Sequence, residues 1–318
     1  MPKKFNPIDL NNVKTYPLSD RKSKVSTADF AKAWKKGGSY KDFLERLPHI
    51  LCGSDIKKVI AGLARAARQK KTIILGMGAH VIKVGLSPII IDLMQRGVIT
   101  GVAMNGAGII HDLEVAMAGQ TSEDVAASID DGSFGMARDT ADFLNQAIAG
   151  SEKSASGLGQ SIGRAIMDRK LPLMEHSILA AGCRLDIPVT VHVAIGTDII
   201  HMHPQFDPAK AGQASHRDFR LLTSMVGSLE GGAYLNVGSA VVLPEIFLKA
   251  VTLARNLGHT LDHFMTVNID FIRHYRPLTN VIRRPTARGG TGINLVGHHE
   301  ILLPLIAAGI IEELETVS

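Results

Sequence analysis

Aromatic side chains are scarce in this sequence. They make up 5% of it and include a single Trp, so its core is expected to be aliphatic. That suits buried parallel strands, which read as near-continuous branched aliphatic runs. Cysteine is scarcer still. Cys52 and Cys183 lie far apart in unlike contexts, which argues against a disulfide framework and reads as two free thiols in a reducing compartment. No apolar run reaches the roughly 20 residues of a membrane helix; the stretch ILLPLIAAGII near the carboxyl end is short and carries Pro304. The first residues, MPKKFNPIDLNN, contain no apolar h-region. A cytoplasmic location without a membrane partner is therefore expected. There is no Walker loop, H-E-x-x-H, C-x-x-C or G-x-G-x-x-G, and no nucleophile elbow is expected, which counts against P-loop enzymes, zincins, ordinary dehydrogenases and serine hydrolases.

What is present is a chain of 318 residues with 45% apolar and 20% charged residues. It is long enough to bury a large core and too apolar to be disordered. The net charge is +5, and part of it sits in a basic arm over residues 1–25 (Lys3, Lys4, Lys14, Arg21, Lys22, Lys24). No aromatic–basic interleaving or zinc-finger spacing accompanies it, so it reads as a solvated tail and no nucleic-acid partner is expected.

From residue 26 onward the pattern predicts a single domain to the end. Thr27 and Asp29 offer cap chemistry for a helix through Phe30 and Trp34. Residues 40–51 and 55–69 read as two further helices, the second with Ile56, Val59, Ile60 and Leu63 at helical spacing. Short aliphatic strands then alternate with helices. Strands are expected at 71–75, 101–104, 188–194, 233–237, 263–269 and 293–296. Helices are expected at 79–95, 215–229, 243–257 and from His299 onward, and residues 150–161 (GSEKSASGLGQS) read as a surface loop. This alternation predicts an α/β fold: a Rossmann-like parallel sheet of about six strands with helices on both faces, preceded by amino-terminal helices. Right-handed crossovers would gather the strand-end turns on one edge.

Those turns carry the candidate chemistry. Gly76 and Gly78 follow the first strand, Asn105-Gly106-Ala107-Gly108 the second, and Val237-Gly238-Ser239 a third. Glycine permits close backbone approach to a ligand, and strand-end turns that open helices suit phosphate. Asp198 lies in the loop Gly196-Thr197-Asp198 and would hold a cationic or hydroxyl-bearing group. His201 and His203 share a face if extended, and with Asp198 form a possible metal set. His298-His299-Glu300 opens the last helix, where a histidine suits general-base work near neutral pH. His80, His111-Asp112 and Glu245 also fall at strand ends.

The order LGMGAHVIKVGLSPIIIDLM, MNGAGIIHDLEVA, IGTDIIHMH resembles the deoxyhypusine synthase family over roughly residues 70–310. Leu75-Gly76 with Ala79-His80 is similar to that family's Leu-Gly and Ser-Asn pairs. Asn105–Gly108 with His111-Asp112 is similar to its Thr-Ala-Gly-Gly and acidic pair. Gly196-Thr197-Asp198 with His203 is similar to its Gly-Asp loop and histidine. Val237–Glu245 and Val296–Glu300 are similar to its Val-Val-Lys-His-His and Tyr-Ala-Asp-Ala-Ser turns. The resemblance implies a homotetramer, NAD at subunit interfaces, and aminobutyl transfer from a polyamine through an imine on an enzyme lysine. It also implies roles here: Gly76, Gly78, Ala79, His80, Asn105, Gly106, Ala107, Gly108, Gly238, Ser239 and His298 around the dinucleotide, Asp198 on the ligand, and His111 and Glu245 as acid–base groups.

The chain departs from that pattern where the family has its lysine. Residues 283–290 read Arg-Arg-Pro-Thr-Ala-Arg-Gly-Gly, and an arginine stays protonated and forms no imine. Arg284 and Arg288 would favour an anionic group instead. The expected ligand is thus a small amine or an anionic metabolite. Two other readings stay open from the residues: a metal-dependent hydrolase built on His201, His203 and His298 or His299, and a dinucleotide-binding paralogue without turnover.

Overall fold

A computed structural model describes residues 2–315. Six strands form one parallel sheet: β1 (Ile73–Met77), β2 (Gly101–Asn105), β3 (Val189–His192), β4 (Ala233–Val237), β5 (Met265–Asp270) and β6 (Thr291–Val296). Their order is β3-β2-β1-β4-β5-β6. The expected Rossmann-like α/β sheet is therefore present, and its strand order is that of dinucleotide-binding folds. The reversal of direction falls between β1 and β4.

The helices are α1 (Tyr40–Arg46), α2 (Leu51–Arg68), α3 (His80–Lys83), α4 (Ser87–Gln95), α5 (Gly106–Ala118), α6 (Val125–Ser128), α7 (Arg138–Ser154), α8 (Leu158–Asp168), α9 (Ile178–Leu185), α10 (Pro208–Gly227), α11 (Val242–Asn256), α12 (Tyr275–Pro277) and α13 (His299–Glu315). Alternation along the strands divides the core. Ile73, Leu75, Met77, Val102, Met104, Leu235, Val267 and Ile293 face one cluster with α2, α4, α5, α9 and α13. Ile74, Ala103 and Tyr234 face the other, with α11, the end of α10 and Val281. A sheet covered on both faces explains why its strands read as continuous aliphatic runs.

Several expected elements differ. No helix runs from Thr27 to Trp34. Ser26 and Asp29 close a capping box around a single 3-10 turn, and the backbone then pairs away from itself, Lys32 N–H to Arg46 and His49 N–H to Asp29. The helix expected over 40–51 stops at Arg46, just before Pro48. The 79–95 helix is two pieces, split at Gly85 with φ +78°. The surface loop expected at 150–161 is mostly helix: α7 runs to Ser154 and α8 starts at Leu158. Asp218 causes that restart. Its buried carboxylate accepts from Gly159 N–H at 3.0 Å and Val191 N–H at 2.8 Å, so it anchors the amino end of α8 to β3. Residues 2–28 are exposed throughout. None of the described helices is long and apolar enough to cross a membrane.

Candidate functional site

The carboxyl edge of the sheet gathers most of the predicted residues. At the β1/β4 reversal, Gly78 continues the ladder, its N–H donating to the Val237 carbonyl at 2.9 Å. A Cβ on Gly78 would stand 2.2 Å from the Gly238 carbonyl oxygen. Both turns therefore need glycine, and their backbones meet at the crevice where dinucleotides bind in this fold. Gly76 is not in the turn. The strand runs through it, and its missing Cβ leaves the space that the Tyr234 hydroxyl fills. Ala79 is buried and caps the four-residue α3. After Gly238, Ser239 Oγ accepts from Leu243 N–H at 3.2 Å and so satisfies one N–H in the first turn of the fifteen-residue α11.

A ring cluster stands over this crevice. Phe271 lies 5.0 Å from His80, 4.4 Å from His299 and 5.1 Å from His298 between ring centroids. His298 is at the exposed rim with Nδ1 3.4 Å from Glu300. His299 turns inward and is buried. Its Nε2 meets the Ile269 carbonyl at 3.2 Å, its Nδ1 has no partner, and burial lowers its pKa.

The second part of the site lies at the end of β2. Asn105 precedes α5 without capping it, and its Oδ1 is buried with no partner. Asp198 is 7% exposed, and a Cβ on Gly106 would fall 1.9 Å from its Oδ2. That oxygen also lacks a partner. Desolvation pushes the Asp198 carboxyl up to about 6. An acidic group against this helix end repels phosphate, so the Asn105–Gly108 turn suits a donor such as a hydroxyl or an amine. Gly108 serves packing, because its α-carbon sits on the Met104 side chain. Ala107 follows Gly106 in the first turn of α5, partly buried.

Other predicted residues are placed differently. His111 Nδ1 contacts Thr121 Oγ1 at 2.7 Å in a half-buried position. Asp112 faces away. It is fully buried and takes the Ser177 hydroxyl and the Ile178 N–H, which ties α5 to the amino end of α9. Glu245 is engaged with Lys249, Arg276 and Asn280, and the Lys249 hydrogen bond leads in holding its carboxyl below the usual range. Arg288 pairs with Asp262 next to the start of β5, at the opposite edge of the sheet, so it does not serve this site. Arg284 bonds Asn280. His201 Nδ1 accepts from the N–H groups of Gly196 and Asp198, and His203 Nε2 meets the Gly135 carbonyl. His201 is thus held within its own loop, with its Nε2 buried and unpartnered, while His203 reaches across to the segment before α7. Among the described residues, no group of three His, Cys, Asp or Glu comes together that could hold a metal, so the His201/His203/His298 set is not assembled.

Gly159-Gln160-Ser161-Ile162-Gly163 spells G-x-S-x-G, a motif that the expectation of no nucleophile elbow passed over. It lies within α8, where the preceding element is a helix and not a strand, so it builds no nucleophile elbow. Sequence reasoning also passed over an amide ladder. Asn236, Asn268 and Asn294 stand in register on neighbouring strands, with Nδ2 to Oδ1 distances of 2.7 and 2.8 Å, and Asn236 Nδ2 also holds the Ser239 carbonyl at 2.9 Å. Its signal was legible: YLNV, TVNI and INLV each carry one Asn in an apolar strand.

Neither a family profile nor a curated protein matches the chain by sequence. Solved structures share its fold. A protein from Methanococcus maripaludis S2 assigned to the LOR/SDH type is 16% identical, with a TM-score of 0.55 over 93% of this chain and 75% of that one. A protein from Entamoeba histolytica assigned as a deoxyhypusine synthase is 13% identical, with a TM-score of 0.51 over 89% of this chain and 96% of that one. AgrE in complex with ornithine and NAD+ is 12% identical, with a TM-score of 0.51 over 83% of this chain and 33% of that one. The chain thus spans about a third of the length of AgrE. At these identities the likeness is one of fold.

Proposed function

We propose that this chain binds NAD along the carboxyl edge of its sheet and carries out NAD-dependent chemistry on a small amine, of the dehydrogenation or aminoalkyl-transfer type. One observation carries the reading. Two bare buried acceptors, Asn105 Oδ1 and Asp198 Oδ2, lie at the end of β2, beside a glycine-only crevice at the β1/β4 reversal. In dinucleotide-binding folds the end of β2 takes ribose hydroxyls and the reversal takes the pyrophosphate. The residues fit the group on those terms. Asn105 and Asp198 would take hydroxyl donors, Gly78, Gly238 and the amino end of α11 would face the pyrophosphate, and His80, Phe271 and His298 would flank the ring beyond it. When bound, NAD supplies a hydride acceptor. The chain's own part is to orient donors and exclude water.

The lysine-free segment at 283–290 bears on the fate of the amine. Imine formation on an enzyme lysine is not available there, so deoxyhypusine formation itself is not part of this proposal. The homotetramer and cytoplasmic location implied by the resemblance belong to it. Exposed apolar residues at the same edge, Ile272 and Tyr275 among them, support a subunit contact near the site. Calorimetry with NAD tests the reading: saturable binding is expected, and no heat at millimolar NAD sinks it. The missing lysine also favours a second reading, a dinucleotide-binding protein without turnover. It predicts binding with no NADH absorbance in the presence of any polyamine.

A further inference from the structure

A cavity of about 440 Å³ lies between α1, α2 and the end of α13. Glu313, which lines it, stands 14 residues after His299 on α13, about 21 Å along the helix axis. The cavity is therefore apart from the candidate site at the carboxyl edge of the sheet. Long-range bonds fold the segment 29–49 over the two helices and so build its walls. Lys32 N–H donates to the Arg46 carbonyl and His49 N–H to the Asp29 carbonyl. The Tyr40 hydroxyl donates to the Leu305 carbonyl on α13, and Lys57 Nζ on α2 donates to the Leu47 carbonyl at 2.8 Å.

Two kinds of side chain line the space: apolar Leu44, Ile60 and Ala61, and the lysines Lys32, Lys41 and Lys57. Elsewhere lysines pair with acids, Lys58 with Asp55, Lys210 with Glu152 and Lys249 with Glu245. Among the described residues, Lys32, Lys41 and Lys57 have no such ion pair. Of the two carboxylates on the lining, Glu313 is 3.5 Å from Arg68 and so already countered. Glu45 is left to face three ammonium groups. Burial lowers the Lys57 pKa, Glu45 opposes that shift and Lys32 adds to it. An anion among these lysines relieves their repulsion. An apolar lining with a few convergent charged groups is the usual make-up of a small-molecule pocket of this size. We propose that this cavity is a binding site for a small organic anion, a carboxylate or a phosphate ester with an apolar body. The site is separate from the NAD reading and does not depend on it. Its ligand would bridge segment 29–49 to α2 and α13.

The test is calorimetry on the full chain with four probes: octanoate, octyl phosphate, inorganic phosphate and octylamine. Saturable binding of octanoate or octyl phosphate is expected, and the tighter of the two identifies the head group. Inorganic phosphate lacks the apolar body and octylamine carries the wrong charge, so both should bind at least about tenfold more weakly. Lys32→Gln and Lys41→Gln change exposed residues, and each should weaken the organic anion about threefold, the pair about tenfold. Ala61→Phe, from an exposed position on the lining, should block it. Urea unfolding without ligand checks that these variants keep the wild-type fold. Absence of saturable binding by both organic anions at millimolar concentration overturns the proposal. So does octylamine or inorganic phosphate binding as tightly as they do, or a folded Lys32→Gln/Lys41→Gln protein that binds like wild type.

Discussion

The imidazole of His299 lies against the α-carbon of Gly238, and both residues point their N–H groups at one carbonyl, that of Ile269. This contact joins the turn after β4 to the end of β5 and the start of α13. Gly238 has φ +65°, and a Cβ there would stand 2.7 Å from His299 Cε1. Gly238→Ala should therefore cost about 1–3 kcal/mol of stability through backbone strain and the ring clash. Urea unfolding measures that cost. Calorimetry on the folded fraction should show NAD affinity reduced as well, because the turn must shift to admit the methyl.

Gly106 and Asp198 form a second close pair. A methyl at 106 has no room beside Oδ2, so Gly106→Ala should be strongly destabilising in the wild-type background. The cost should shrink by at least about 1 kcal/mol when Asp198 is already Ala, since contacting sites couple. Thermal or urea unfolding of the four proteins in the cycle measures this. Additive costs would mean that the methyl clashes with something other than the carboxylate.

Asp198 also makes a prediction in pH. Folding raises its carboxyl from 3.8 to about 6. Between those values the folded state binds more protons than the unfolded state, so this group lowers stability as pH rises through that window. Asp198→Asn removes the penalty. The variant should be more stable than wild type by roughly 1–3 kcal/mol at pH 8, and the difference should vanish below pH 4. Urea midpoints across that range are the measurement.

The amide ladder is a third target. Asn268 both accepts from Asn236 and donates to Asn294 inside the sheet. Asn268→Leu strands a donor and an acceptor in a buried place, at a cost of about 2 kcal/mol. Because Asn236 keeps its bond to the Ser239 carbonyl, NAD affinity should change little. A matching loss of affinity would show that the ladder sets the Gly238–Ser239 turn.

The strands were legible because each is a short, mostly apolar run, and β4 appears at the expected residues, 233–237. The helices over 138–185 were harder to read. Their polar, small-residue stretch resembles a loop by composition, and it is helical because Asp218, 59 residues beyond Gly159, reaches back to satisfy the start of α8. The candidate site was legible in outline at Gly78, Gly238 and Asn105, which lie at strand ends, and at Asp198 in the loop that follows β3. Gly76 and Asp112 were drawn in by sequence proximity, and alternation within a strand or helix turns them toward the core.

Local sequence by itself determined the periodicities, the glycine turns and the absence of lysine from 283–290, because each depends on a few neighbouring residues. Only the tertiary structure decided which scarce polar groups meet. It brings Asp198 onto Gly106 and His299 onto Gly238. The physical reason is that a mostly aliphatic core, poor in aromatics, packs by shape and area without directing polar partners. Hydrogen bonds across distant segments then settle which of the buried acceptors stay bare.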